Sequence, residues 1–91
     1  MESIIDNDRE HCFICHRFGI TEEHHMLSGN SNRKISESLG LKIYICPFCH
    51  RDLHDKNREL ELYVKRLAQI KYEETYGTRT DFIKQFGKSY L

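Results

Sequence analysis

Leu41-Lys42-Ile43-Tyr44-Ile45-Cys46-Pro47-Phe48-Cys49-His50-Arg51-Asp52-Leu53-His54 is the stretch from which the rest of the chain is read. Leu41, Ile43 and Ile45 alternate with Lys42 and Tyr44, the period of a half-buried strand. Cys46 and Cys49 have the spacing of a metal knuckle where that strand turns into a helix, and Cys49 to His54 would be the helix's first turns. His50 and His54 then stand one turn apart, so their rings share a helix face and can reach a common point.

Cys12-Phe13-Ile14-Cys15 repeats the knuckle upstream, and Gly19 leads into a segment from Ile20 to Met26 that reads as a strand ending in His24-His25. A second strand must return beside the first to pair with it, which brings Cys12 and Cys15 next to Cys46 and Cys49. One structural zinc held by four thiolates would pin both ends of such a hairpin, because a four-cysteine tetrahedron leaves no open position. The four imidazoles remain for a second, open metal site that keeps water and can do chemistry. Disulfide pairing is the alternative for the cysteines, although in a reducing compartment Cys-x-x-Cys pairs are more often metal ligands. A site of three cysteines plus His50 is a further alternative, as are surface positions for His24 and His25. A redox role fits poorly, since thioredoxin-like motifs sit in a βαβ pattern that this chain lacks.

Leu27 to Asn32 is rich in turn residues, and Asn32 can N-cap a short helix from Arg33 to Leu39 that Gly40 terminates. From Arg58 to Tyr76 an amphipathic helix is expected, with Leu60, Tyr63, Val64, Leu67 and Ile70 as its apolar stripe and Gly77 at its end. A last helix from Thr80 to Phe86 would have Thr80 as N-cap, Gly87 after its end, and Phe82, Ile83 and Phe86 as its buried face. Residues 1–10 read as a mobile arm or short helix without assigned function. The expected architecture is α+β, a single domain over 1–91 with a zinc-stapled ββα core at 11–58 and a C-terminal helical brace at 59–91.

The bulk numbers agree with a small domain in need of a staple. Ninety-one residues bury only about two thirds of their unfolded surface. Five Tyr and five Phe nonetheless separate a chain of mean hydropathy −0.67 from a disordered one. No apolar run approaches the roughly 18 residues of a membrane span, and the first ten residues lack the pattern of a targeting segment, so a cytoplasmic protein is expected. Fourteen basic and fourteen acidic residues cancel, but Glu2, Asp6, Asp8 and Glu10 face Arg9 alone at the start, leaving the remainder at a formal +3. That distribution permits a polyanionic partner without announcing one.

The constellation of two knuckles, tandem His24-His25 and His50-x-x-x-His54 resembles the HNH endonucleases of the His-Me finger superfamily, whose ββα-metal core is often built into a zinc-bound treble clef. The similarity covers roughly residues 11–58. It implies a metal-dependent DNA endonuclease in which His24 and His50 bind a catalytic divalent ion, His54 joins as ligand or phosphate contact, and His25 is the general base. Mg2+, Mn2+, Ni2+ and Zn2+ are all open as that ion. The family's orienting asparagine has no counterpart just before the second knuckle. Asn32, or less readily Asn30, could take its place from the inter-strand loop, with a plain helix N-cap as the other reading of Asn32. The segment from Gly29 to Lys34 and the stretch from Tyr76 to Lys88 are similar to small phage-encoded HNH proteins, which would put the chain in a host cytoplasm. Arg33, Lys34 and Arg51, with Lys56 and Arg58, are the candidate phosphate contacts. DNA is the expected partner, cut by a monomer or homodimer, with specificity borrowed from a protein partner. The competing function is a non-catalytic treble-clef module that binds DNA or a protein, such as a phage packaging or anti-defence component.

Overall fold

Three glycines with positive φ, Gly29, Gly40 and Gly87, and the side-chain caps Asn57 and Thr78 mark where helices begin and end. The computed structural model describes residues 1–55 and 57–91, so Lys56 lies outside the described residues, as does the side chain of Asn30. The order is β1 (Glu22–His25), α1 (Asn30–Leu39), β2 (Lys42–Ile45), α2 (Pro47–Asp55), α3 (Arg58–Thr75) and α4 (Arg79–Phe86). β1 and β2 form one antiparallel two-stranded sheet, with Glu22 opposite Ile45, Glu23 opposite Tyr44, His24 opposite Ile43 and His25 opposite Lys42. The α+β expectation holds, as two strands and four helices with a cluster of four cysteines that could bind a metal.

β1 is shorter than the segment from Ile20 to Met26, and Ile20 is left 84% exposed. α1 starts at Asn30, three residues before the expected start. Its N-cap is Gly29 at φ 100° with no side-chain cap, so Asn32 lies inside the first turn and is not the N-cap. Gly40 ends α1 in the left-handed region at φ 71°, and a Cβ there would come within 2.5 Å of the Glu2 carbonyl oxygen. A side chain at this turn would therefore be strained twice, by its φ and by the collision.

β2 is not half-buried: all four of its residues are buried, Lys42 included. Residues 1–10, expected as a mobile arm or short helix, and Phe13 after them explain this. Ser3 Oγ donates to the Lys42 carbonyl at 2.6 Å and the Phe13 N–H to the Tyr44 carbonyl at 2.9 Å. The Ile4 N–H reaches the Gly40 carbonyl at 2.9 Å, and the Arg9 guanidinium stacks 4.8 Å over the Tyr44 ring. The chain start thus lies along β2, and Ile43 and Ile45 pack with Met26, Leu27, Leu41 and Leu53 in the core.

The C-terminal helices complete that core. α3 buries Val64, Ala68, Gln69 and Tyr72, whereas Tyr63 and Ile70 of the expected stripe are exposed and Leu60 and Leu67 only partly buried. The face is rotated because small Ala68 and the edge-on stacking of Tyr72 against Phe82, ring centroids 5.3 Å apart, let α4 approach closely. α4 begins at Arg79 with Thr78, not Thr80, as N-cap. The Thr78 hydroxyl accepts from the Asp81 N–H and the Asp81 carboxylate accepts from the Thr78 N–H, a reciprocal capping box. Phe82 and Phe86 are buried as expected, but Ile83 is 40% exposed. Among the described residues no helix is long and apolar enough to cross a membrane.

Candidate functional site

The first knuckle is a closed turn in which His16 donates its N–H to the Cys12 carbonyl at 2.8 Å and an isolated bridge joins His11 and Phe18. The second opens α2. Because β1 and β2 are antiparallel, the two knuckles meet at one end of the sheet, and one sulfur from each of Cys12, Cys15, Cys46 and Cys49 lies within 4.8 Å of the others. All four are free thiols. The Cys15 N–H points at Cys12 Sγ (3.4 Å) and the Cys49 N–H at Cys46 Sγ (3.5 Å). Burial opposes ionisation of Cys12, but the N–H donors of Cys15, Cys46 and Ile14 outweigh it and bring the thiol down to about 6. Burial and the neighbouring sulfurs push the Cys49 thiol up. Crowded thiols of this kind ionise together only around a cation. Four zinc–sulfur bonds of about 2.3 Å require sulfurs about 3.8 Å apart, and Cys15 and Cys46 stand 3.8 Å apart. The cluster suits a structural metal such as zinc.

Strand alternation divides the histidines. His24 leaves β1 towards α2, where His50 and His54 share a face, and one nitrogen from each of the three rings lies within 4.8 Å of the others. Ring centroids are 5.3 Å apart for His24 and His50, 5.8 Å for His24 and His54, and 4.7 Å for His50 and His54. Burial, then the imidazoles of His50 and His54, push His24 down to about 4, so it presents a neutral lone pair near neutral pH. Glu22, two residues before His24 and on the same strand face, accepts a 2.8 Å hydrogen bond from His50 Nδ1 and so leaves Nε2 free for a ligand. Three imidazoles with an outer carboxylate fit a divalent ion by donor chemistry.

His25 leaves the strand on the other face. Its Nε2 is 2.9 Å from Glu37 Oε1 and 3.5 Å from Glu23 Oε1. Lys42 Nζ bonds Glu23 at 3.2 Å and Glu37 at 3.0 Å. The amine of Met1, then His25 and Lys42, hold the Glu37 carboxyl down to about 2. Both faces border a cleft of about 340 Å³ lined by Glu23, His24, His25, Leu27, Ser28, Arg33, His50 and His54.

Of the sequence-predicted phosphate contacts, Arg33 lines this cleft, while Lys34 and Arg51 are exposed outside its wall. Arg58 borders surface grooves beside α3 instead. Asn32 is partly buried on α1 and is not among the residues lining the cleft. Sequence reasoning missed Glu22, Glu23, Glu37 and Lys42. The alternation that puts Glu22 with His24 and Glu23 with His25 was visible, but the arrival of Glu37 from α1 was not.

Fold and site together define a small α+β protein with a four-cysteine cluster able to hold a metal. Comparisons with models of protein families, with curated proteins and with solved structures find no match.

Proposed function

We propose that the protein is a metal-dependent endonuclease that hydrolyses DNA phosphodiesters from a zinc-stapled ββα-metal core of treble-clef type. The observation that carries the reading is the cleft shared by the His24, His50 and His54 trio and by His25 from the opposite face of the same strand. His24, His50 and His54 would hold one divalent ion, Mg2+, Mn2+, Ni2+ or Zn2+, which supplies Lewis-acid stabilisation of charge developing on the phosphate and on the leaving oxygen. His25 would take the proton of the attacking water. Arg33 would hold a non-bridging phosphate oxygen, as its place on the cleft wall suits a charge-assisted bond. Cys12, Cys15, Cys46 and Cys49 would keep both knuckles fixed, and with them His50, the residue following Cys49.

Supercoiled plasmid incubated with zinc-loaded protein and Mg2+, Mn2+ or Ni2+ should be nicked or linearised, and EDTA should stop it. His25→Ala should abolish cleavage while keeping zinc content and fold; undiminished cleavage by that variant refutes the base assignment. A second reading, a non-catalytic module binding DNA or a protein, draws on the position of Asn32 away from the cleft wall. It requires folded, zinc-loaded protein that shifts DNA on a gel and never cuts it with any of these metals.

A further inference from the structure

We propose that Glu37 is the positioning residue of His25: its carboxylate fixes the ring so that Nε2 carries the proton and Nδ1 presents the lone pair. The proposal rests on the nuclease reading for its catalytic consequence, though the hydrogen bond itself does not. It gives the orienting role to a carboxylate from α1, where the sequence had suggested Asn32.

The geometry is specific. Glu37 Oε1 is 2.9 Å from His25 Nε2. A carboxylate only accepts hydrogen bonds, so the ring nitrogen facing it must be the donor, and in the neutral form of the ring the other nitrogen carries the lone pair. Glu37 is itself held. Lys42 Nζ donates to both its oxygens, at 3.1 and 3.0 Å, and the Lys42 side chain is only 5% exposed. Lys42 is also the residue directly opposite His25 in the sheet, so backbone pairing and side-chain network fix the same spot. The Met1 amine lies 2.8 Å from Glu37 Oε2, the oxygen not bonded to His25.

Two other accounts of the cluster are weaker. Glu23, His25 and Glu37 have the composition of a cation site, with one ligand atom from each within 4.8 Å of the others. The Lys42 ammonium already bridges the two carboxylates, however, so the positive charge that would be bound is covalently present. If Glu37 served only to neutralise buried Lys42, its bond to His25 would be incidental. That purely structural account predicts loss of stability without change in the ring.

The test has two readouts on zinc-loaded protein. Long-range proton–nitrogen NMR of the histidine rings, with His25 assigned by its disappearance in His25→Ala, should give an Nε2-protonated ring in wild type and a mixed or Nδ1-protonated one in Glu37→Ala. Plasmid cleavage should lose about 10–100-fold in kcat in Glu37→Gln, with KM unchanged. Glu37→Ala leaves Lys42 buried beside Glu23 alone and threatens the fold. Glu37→Ala/Lys42→Met removes the buried charge together with its partner, and should lose kcat and the Nε2–H signature while remaining folded. An Nδ1-protonated His25 in wild type overturns the proposal. So does full kcat in both folded variants, which would leave the nuclease reading intact. If wild type never cleaves, the nuclease reading falls and the ring alone decides: Nε2–H lost in Glu37→Ala/Lys42→Met upholds the hold of Glu37 on His25, and Nε2–H retained there overturns it.

Discussion

Thr78 shows how much one hydroxyl does. It closes the N-terminus of α4 with Asp81, and an N-cap of this kind contributes about 1 kcal/mol. Thr78→Ala should lower the thermal midpoint by about 4–8 °C, whereas Thr80→Ala should leave it nearly unmoved; equal losses would show that the cap is misassigned. The Thr78 N–H, then its hydroxyl, hold the Asp81 carboxyl below its ordinary 3.8. Folding thus favours the ionised form. The contribution of Asp81 is present above pH 3.8 and fades as pH falls through the lower folded value. Thr78 was legible in principle, since Thr78-Arg79-Thr80-Asp81 spells a capping box, but the nearer Thr80 hid it. The structure brings the four cysteines into one cluster and gathers His24, His50 and His54; the pairs within a knuckle or on one helix face were legible because spacing alone sets them. Glu37 could not be found that way, since its meeting with His25 depends on how α1 settles on the sheet.

At the scale of elements, the strand and helix order came from periodicity and turn residues, while the faces of α3 and α4 did not. Leu60, Tyr63 and Ile70 follow a helical stripe, yet packing selected Ala68, Gln69 and Tyr72. The aromatic wedge of Phe82 and Phe86, ring centroids 4.8 Å apart, seats against Tyr72 and sets that rotation. Phe82→Ala should therefore cost about 3–5 kcal/mol in denaturant unfolding. Ile83→Ala, on the exposed side, should stay within about 0.5 kcal/mol. Comparable losses at both sites would mean that α4 does not present the described face. The burial of Lys42 was equally illegible in the strand pattern, because the segment that covers it is remote in sequence.

For the whole molecule, the thiol cluster joins the two knuckle turns, so a structural metal held there would tie its binding to folding. Binding of structural zinc contributes about 10–16 kcal/mol, as much as the entire stability usual for a domain. A strong chelator, or Cys46→Ala, should release zinc and abolish the helical circular dichroism signal; a variant that keeps its helices without metal would contradict the structural role of the cluster. The chain start has a different consequence. By occupying the Lys42 and Tyr44 carbonyls, residues 3 and 13 leave no open row of acceptors there for a strand from another molecule. A two-stranded ribbon is otherwise a template for intermolecular growth, and this one carries its own guard against aggregation on that side.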